Sequence, residues 1–211
     1  MSSNMMIGID IGTTSTKAVL FEENGKVVAK GSEGYPLLTP TSSIAEQDPD
    51  LIFTAVIHSV KQVMDTSGIR PEQVMFVSFS SAMHSVIPVG QDGKPLMNCI
   101  TWADNRSAKW SEVLKNDMNG HEIYLRTGTP IHPMSPLAKL VWLRNDYSEV
   151  FSKSYKFISI KEYIFYQLFK EYVIDYSIAS STGLFNIYSL TWDEEALKLA
   201  GVSPEQLSEP V

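Results

Sequence analysis

The sequence predicts a mixed α/β domain, on three observations. Three short apolar strands follow one another at the amino terminus without a helix between them; a helix and a fourth strand come next; mostly helices complete the chain. A hydrophobic content of 44 % with 19 % charged residues is enough to fill a core in 211 residues. No stretch is polar or biased enough to favour disorder, and neither an internal repeat nor an interior linker is found, so residues 1–211 read as one domain.

The first strand is expected over Met6–Ile11, the second over Lys17–Phe21 and the third over Val27–Lys30. Asn24-Gly25 joins the last two as a hairpin, because both residues tolerate the positive φ of a tight turn. Three consecutive strands exclude a Rossmann-type beginning. Asp48-Pro49 then opens a helix, with Asp48 as cap and Pro49 in the first turn. Leu51, Ile52, Ala55, Val56, Val60 and Val63 carry it at helical spacing to about Ser67. Val74–Ser80 reads as a buried strand, and Val86–Val89 and Asn98–Trp102 as strands around the Asp92-Gly93 turn. Helices are expected over Arg106–Asn116, Pro136–Asn145, Lys161–Phe169 and Asp193–Ala200.

Charge and cysteine content narrow the functional classes. Seventeen Lys+Arg against 24 Asp+Glu give a net charge of -7 without a basic stripe. Nucleic acids and anionic membranes need clustered Lys/Arg, so neither is an expected partner. Cys99 is the only cysteine, which rules out an intrachain disulfide and suits a reducing, cytoplasmic setting. Met1–Met6 lacks a basic region followed by a long apolar run, so no signal peptide is expected. No apolar run has the length of a membrane span. Asn105-Arg106-Ser107 is a chance match to the glycosylation triplet.

The segment Gly8-Ile9-Asp10-Ile11-Gly12-Thr13-Thr14 carries the first chemistry. A small, hydroxyl-rich turn at the end of an apolar strand presents backbone N–H groups and hydroxyls together, an array that suits phosphate oxygens. Asp10 could hold a magnesium ion directly or through water, and Lys17 could reach a transferred phosphoryl group. The same residues would also serve a plain hairpin with Asp10 in its turn. The segment is neither a Walker loop nor a dinucleotide-binding glycine motif.

Asp-x-Gly-Thr-Thr-Ser-x-Lys between two strands resembles the first phosphate motif of the actin, sugar kinase and heat-shock ATPase superfamily, and more narrowly that of the FGGY carbohydrate kinases. Ala45-Glu46-Gln47-Asp48-Pro49 is similar to the family's acidic segment before its first long helix. Met83-His84 follows a strand where open α/β sheets place ligand loops, and it maps onto sugar-contacting positions of the family. By spacing alone a lone His beside a Met would be structural. In Trp102-Ala103-Asp104-Asn105-Arg106, a flat ring, an acceptor and a forked donor make the mixture a polyol needs. The alternative for this segment is a core Trp with a helix-capping Asp. It resembles the region bordering the sugar in xylulose and gluconate kinases, with Arg106 as the candidate partner for a substrate carboxylate.

Thr127–Leu143 resembles a family signature ending in Lys-x-x-Trp-Leu, and its helical part reads mainly as core packing. Met134 stands where glycerol kinases carry a substrate-contacting Tyr, and Thr-Pro-Ile-His-Pro-Met is similar to the gluconate type. Asp175–Asn186 resembles a further family stretch, from which Ile178 departs.

The resemblance implies a ribonuclease-H-like domain with a mixed five-stranded central sheet flanked by helices, the amino-terminal domain of a kinase using ATP and Mg2+. Asp10 and Lys17 would be catalytic, with Asp10 at the metal. Gly12, Thr13 and Thr14 would line the phosphates, and Met83, His84, Trp102, Asp104, Arg106 and Met134 would bind the sugar or sugar acid. Gluconate ranks first as substrate and xylulose second. In the family the general-base Asp and most of the adenosine pocket belong to a carboxy-terminal domain beyond Val211. The isolated chain is therefore expected to be inactive, and a fragment of a longer kinase is preferred to a stand-alone, non-catalytic sugar-binding domain. A homodimer of the full-length protein is compatible with the resemblance. A ribonuclease-H-like nuclease would need several clustered carboxylates, and only Asp10 is suitably placed.

Overall fold

Met5, Ile7, Ile9 and Ile11 are buried while Met6, Gly8 and Asp10 alternate with them, and this period of two makes strand β1 (Met5–Ile11). A computed structural model describes residues 4–211, so Met1–Ser3 of the leader reading lie outside the described residues. Two units are distinguished: the residues up to Leu37 with Asp48–Ala82, and Leu38–Gln47 with Met83–Val211.

In the first unit β1 pairs antiparallel with β2 (Ser15–Glu22), which pairs antiparallel with β3 (Val27–Gly34). The Asn24-Gly25 turn joins β2 to β3, with Gly25 at φ 85°. Helix α1 (Pro49–Ser67) begins where Asp48 accepts the N–H groups of Asp50 at 2.9 Å and Leu51 at 3.4 Å, and it ends at Gly68 in the left-handed region. Its buried Ile52, Ala55, Val56 and Val63 face β2 and β3. Each large aliphatic side chain so buried contributes about 1.5–3 kcal/mol. Gly31 allows this approach, since a β-carbon there would lie 2.3 Å from the Ser59 carbonyl oxygen. Strand β4 (Val74–Ser81) then returns to pair parallel with β1.

The sheet order is β3-β2-β1-β4: the sheet is mixed as expected, but it has four strands, not five. Ile87–Val89, the next strand in sequence, pairs elsewhere. The expectation that residues 74–80 form a buried strand is also corrected. β4 has a single strand neighbour, and Met75, Phe76 and Val77 are 59 %, 48 % and 42 % exposed. An apolar run looks the same in sequence at the edge or the centre of a sheet.

In the second unit β5 (Ile87–Val89) pairs antiparallel with β6 (Lys156–Ile158), and Glu46–Gln47 pairs antiparallel with Cys99–Ile100. The Asp92-Gly93 turn is present with Gly93 at φ 73°. The strand expected over Asn98–Trp102 shortens to Cys99–Ile100, because Thr101 turns both its N–H and its hydroxyl to the Ala45 carbonyl, at 3.0 and 2.8 Å.

Helices α2 (Ala108–Asp117), α3 (Gly120–Thr127), α4 (Pro136–Asp146), α5 (Ser148–Lys153), α6 (Ile160–Phe169), α7 (Tyr176–Ser180) and α8 (Glu194–Ala200) follow. Of these α3, α5, α7 and α8 have eight residues or fewer, too short to show a clear period, and α8 is legible only by its Asp193 cap. The core runs through Ile100, Leu114, Ile123, Leu140, Val141, Trp142, Phe157 and Leu184. Helix α4 is its centre, with every residue from Pro136 to Leu143 buried. Among the described residues no helix is long and apolar enough to cross a membrane.

Candidate functional site

The glycine-threonine turn in the first unit is held by its own carbonyls. The Gly12 N–H donates to the Ser15 carbonyl at 3.0 Å, and a β-carbon at position 12 would stand 3.0 Å from that same oxygen, so glycine suits the turn sterically. At the end of β3, the Tyr35 hydroxyl donates to the Gly12 carbonyl at 2.7 Å, and the Tyr35 N–H donates to the Thr14 carbonyl at 3.2 Å. Across a trans peptide the C=O and the following N–H point oppositely. Pinning these two carbonyls therefore sets the directions of the Thr13 and Ser15 N–H groups.

Asp10 and Lys17 stand directly opposite each other across β1 and β2, and both are exposed. Neither takes part in an ion pair among the described residues. No group of three or more His, Cys, Asp or Glu among the described residues is placed to hold a metal ion by itself.

The second unit carries the other predicted residues. Met83 and Trp102 are 41 % and 48 % exposed, apolar surface of the kind a ligand can cover. His84 lies at φ 65°, a left-handed backbone that a non-glycine residue adopts only when its surroundings hold it there. Its ring Nδ1 is 2.8 Å from the Ser181 carbonyl oxygen, and its own carbonyl accepts from the Lys139 ammonium at 2.6 Å. Burial lowers the imidazole pKa, opposed by the Ser181 bond and reinforced by the charges of Lys139 and His132. The ring is therefore neutral at pH 7. A carbonyl can only accept, so Nδ1 bears the proton and Nε2 is left as an acceptor.

Met134 sits in the loop before α4, partly buried, with its N–H donating to His132 Nδ1 at 3.1 Å. The Ser107 hydroxyl donates to the Pro133 carbonyl at 2.8 Å, and the Thr129 hydroxyl to the Ser180 carbonyl at 2.6 Å. Both bonds hold this loop in place.

Asp104 and Arg106 take internal positions. Asp104 is 1 % exposed, and its carboxylate accepts from the Ala45 N–H at 3.0 Å and from Arg106 Nε at 3.0 Å. The Arg106 guanidinium also pairs with Glu46 and lies 4.5 Å over the Trp142 ring. Burial works against this charge, yet Asp104 and Glu46 outweigh it and hold the arginine pKa above its ordinary value. Asp104, expected on the sugar side, turns its carboxylate to protein donors. Its buried carboxylate is occupied by the protein, and Arg106 is committed to two carboxylates rather than held open for a third.

Three residues that the sequence reading left without a role hold this face together. Lys139 joins two loops, Glu46 completes the Arg106 pairing, and Ser181 orients His84. A lysine within the apolar run of α4 was the one available signal, since a lysine is rarely buried without a partner. Cys99 is buried, and burial pushes its thiol pKa up to about 12, so it is an unreactive part of the core.

The family described as "FGGY family of carbohydrate kinases, N-terminal domain" matches residues 5–211. The chain is 59 % identical over 209 residues to a gluconokinase of Bacillus subtilis, covering 99 % of this chain and 40 % of that protein. Its fold is similar to the crystal structure of a gluconate kinase from Lactobacillus acidophilus, with a TM-score of 0.94 and 43 % identity over 98 % of this chain and 42 % of that one. A ligand-bound xylulose kinase from the same organism gives 0.91 and 44 % over the same shares. The chain thus spans about 40 % of the length of the curated relatives it matches. With the family match covering nearly all of its length, the chain belongs to the FGGY family of carbohydrate kinases, as an N-terminal domain.

Proposed function

We propose that this chain is the sugar-recognising and phosphate-handling part of an ATP-dependent kinase that phosphorylates gluconate. The observation that carries the reading is His84, clamped at its ring by the Ser181 carbonyl beside exposed Met83, in a chain 59 % identical to a gluconokinase. Nε2 of His84 would accept from a sugar hydroxyl, and Met83, Trp102 and Met134 would form the apolar frame. Asp104 would act at one remove, by fixing Arg106, and Arg106 by fixing the Glu46 and Trp142 side of the same face.

Gly12, Thr13 and Thr14 would line the nucleotide phosphates, and Lys17 would offset charge on the transferred group. Asp10, an exposed carboxylate at a strand end outside any three-residue metal cluster, fits a magnesium ion held by one carboxylate together with phosphates and water. When bound, the ion would neutralise charge on the phosphate oxygens. A cytoplasmic setting belongs to the same proposal, supported by the lone, buried cysteine.

Kinase activity is assigned to the complete protein, in which this chain is joined to the carboxy-terminal part that its relatives carry. The 211-residue chain alone is expected to show no useful turnover. An ADP-release assay of the complete protein with gluconate, ATP and magnesium is expected to give turnover. Its absence with gluconate, while another sugar is phosphorylated, would overturn the substrate assignment.

A further inference from the structure

Lys139 lies in the middle of α4 and has no exposed surface. Charged residues are almost never fully buried unless paired, yet no carboxylate forms an ion pair with it among the described residues. Its ammonium instead donates to two backbone carbonyls, those of His84 and Met134, at 2.6 Å each. Burial lowers its pKa from 10.5 to about 7, against the opposing charges of Asp104 and Cys99. A methionine or leucine would fill the same space without that penalty, so packing does not account for an amine here.

The two carbonyls identify what the amine does. One belongs to the Met83-His84 turn and the other to the loop carrying Met134, fifty positions along the chain. Every residue of α4 from Pro136 to Leu143 is buried, so a donor projecting from this stretch is a fixed reference for both segments. At His84 the bond has a second use, because the left-handed backbone of that residue is gripped at the ring by Ser181 and at the carbonyl by Lys139. Removing one grip frees the turn to relax toward ordinary φ values, which would carry the imidazole away from its position.

We propose that Lys139 is a positioning residue for substrate: by bridging the His84 and Met134 carbonyls it holds the two sugar-side loops at a fixed separation and thereby sets sugar affinity. This rests on the reading of Met83, His84 and Met134 as sugar contacts.

The test compares Lys139→Met, which fills the space without donors, and Lys139→Gln, which keeps two N–H donors without charge, in the complete kinase. The KM for the sugar is expected to rise about tenfold or more in Lys139→Met and by less in Lys139→Gln, because displacements near 1 Å cost up to about a hundredfold. The KM for ATP should stay within about twofold, since uniform loss of sugar binding leaves the other substrate untouched. Introducing Lys139→Met into a His84→Ala background should add less to the sugar KM than it does alone.

Folded variants with unchanged sugar KM would overturn the assignment, as would equal losses for both substrates. Failure of both variants to fold would overturn it too, because Lys139 would then be a folding residue. A wild-type enzyme inactive on gluconate, xylulose and glycerol alike would count against the kinase reading itself, which separates the two failures.

Discussion

Nδ1 of His84 lies 2.8 Å from the carbonyl oxygen of Ser181, and that bond fixes which ring nitrogen is open to a ligand. Nε2 keeps its lone pair only while the ring is neutral. Burial holds the folded pKa below the ordinary 6.5, with the Lys139 and His132 charges acting in the same direction. The unfolded chain therefore takes up this proton first as pH falls. The stability contributed by neutral His84 is complete above the ordinary value and is lost as pH falls through the lowered one. In the complete kinase the sugar KM should rise as pH falls from the ordinary 6.5 through the lowered His84 value, where protonation removes the acceptor. In His84→Gln the rise should disappear. A wild-type profile that stays flat into the acid range would contradict the acceptor role.

Asp104 should be among the most sensitive positions for folding. Truncation to Ala removes the acceptor for the Ala45 N–H and leaves Arg106 with Glu46 alone. Breaking a buried pair on one side costs about 3–5 kcal/mol. Urea unfolding of Asp104→Ala should show a loss of this order, with a smaller loss for Glu46→Gln because Glu46 is 15 % exposed. An unfolding midpoint equal to wild type would show that the network is idle.

The phosphate turn gives a prediction of opposite selectivity to Lys139. Gly12→Ala places a β-carbon 3.0 Å from the Ser15 oxygen, and Tyr35→Phe removes the hydroxyl that pins the Gly12 carbonyl. Both should raise the KM for ATP severalfold and leave the sugar KM near wild type, as expected when one lost hydrogen bond costs about 1 kcal/mol. Measuring both KM values in each variant checks this, and a sugar-selective effect would argue against the assignment of the turn.

Helix α8 depends on one carboxylate. Asp193 caps it through the Ala196 N–H at 3.0 Å and also accepts from Arg126 at 2.7 Å. Burial works to raise the Asp193 pKa, but Arg126 and the cap bond outweigh it, so the pKa sits below the ordinary carboxylate value. This stability is present above about pH 4 and is lost as pH falls through the lowered value. Asp193→Ala should cost about 1–3 kcal/mol at neutral pH and progressively less in acid, read from thermal melts across pH.

The legible parts of the fold are those set by local chemistry. Asn24-Gly25 needs only its own dihedrals, and Asp48-Pro49 only the orphan N–H groups of the helix it starts, so both are found as expected. The exposure of Val74–Ser81 was not legible, because it depends on how many neighbours a strand has and not on its own residues. At the candidate site, Met83 and His84 are singled out by the family resemblance, since spacing alone reads a lone His beside a Met as structural. The internal roles of Asp104 and Arg106 could not, because they depend on Glu46, about sixty positions away. The role of Lys139 depends on two carbonyls fifty positions apart, so its place in an apolar helical run marks it without showing what it joins.

The proposed substrate of the complete kinase is gluconate, on the identity to a gluconokinase. This assignment is tested most directly by the ratio of kcat/KM for gluconate to that for xylulose in the complete kinase, with glycerol as a third substrate. A preference for gluconate of about tenfold or more over both is expected. Equal rates on all three, or a preference for xylulose, would contradict it.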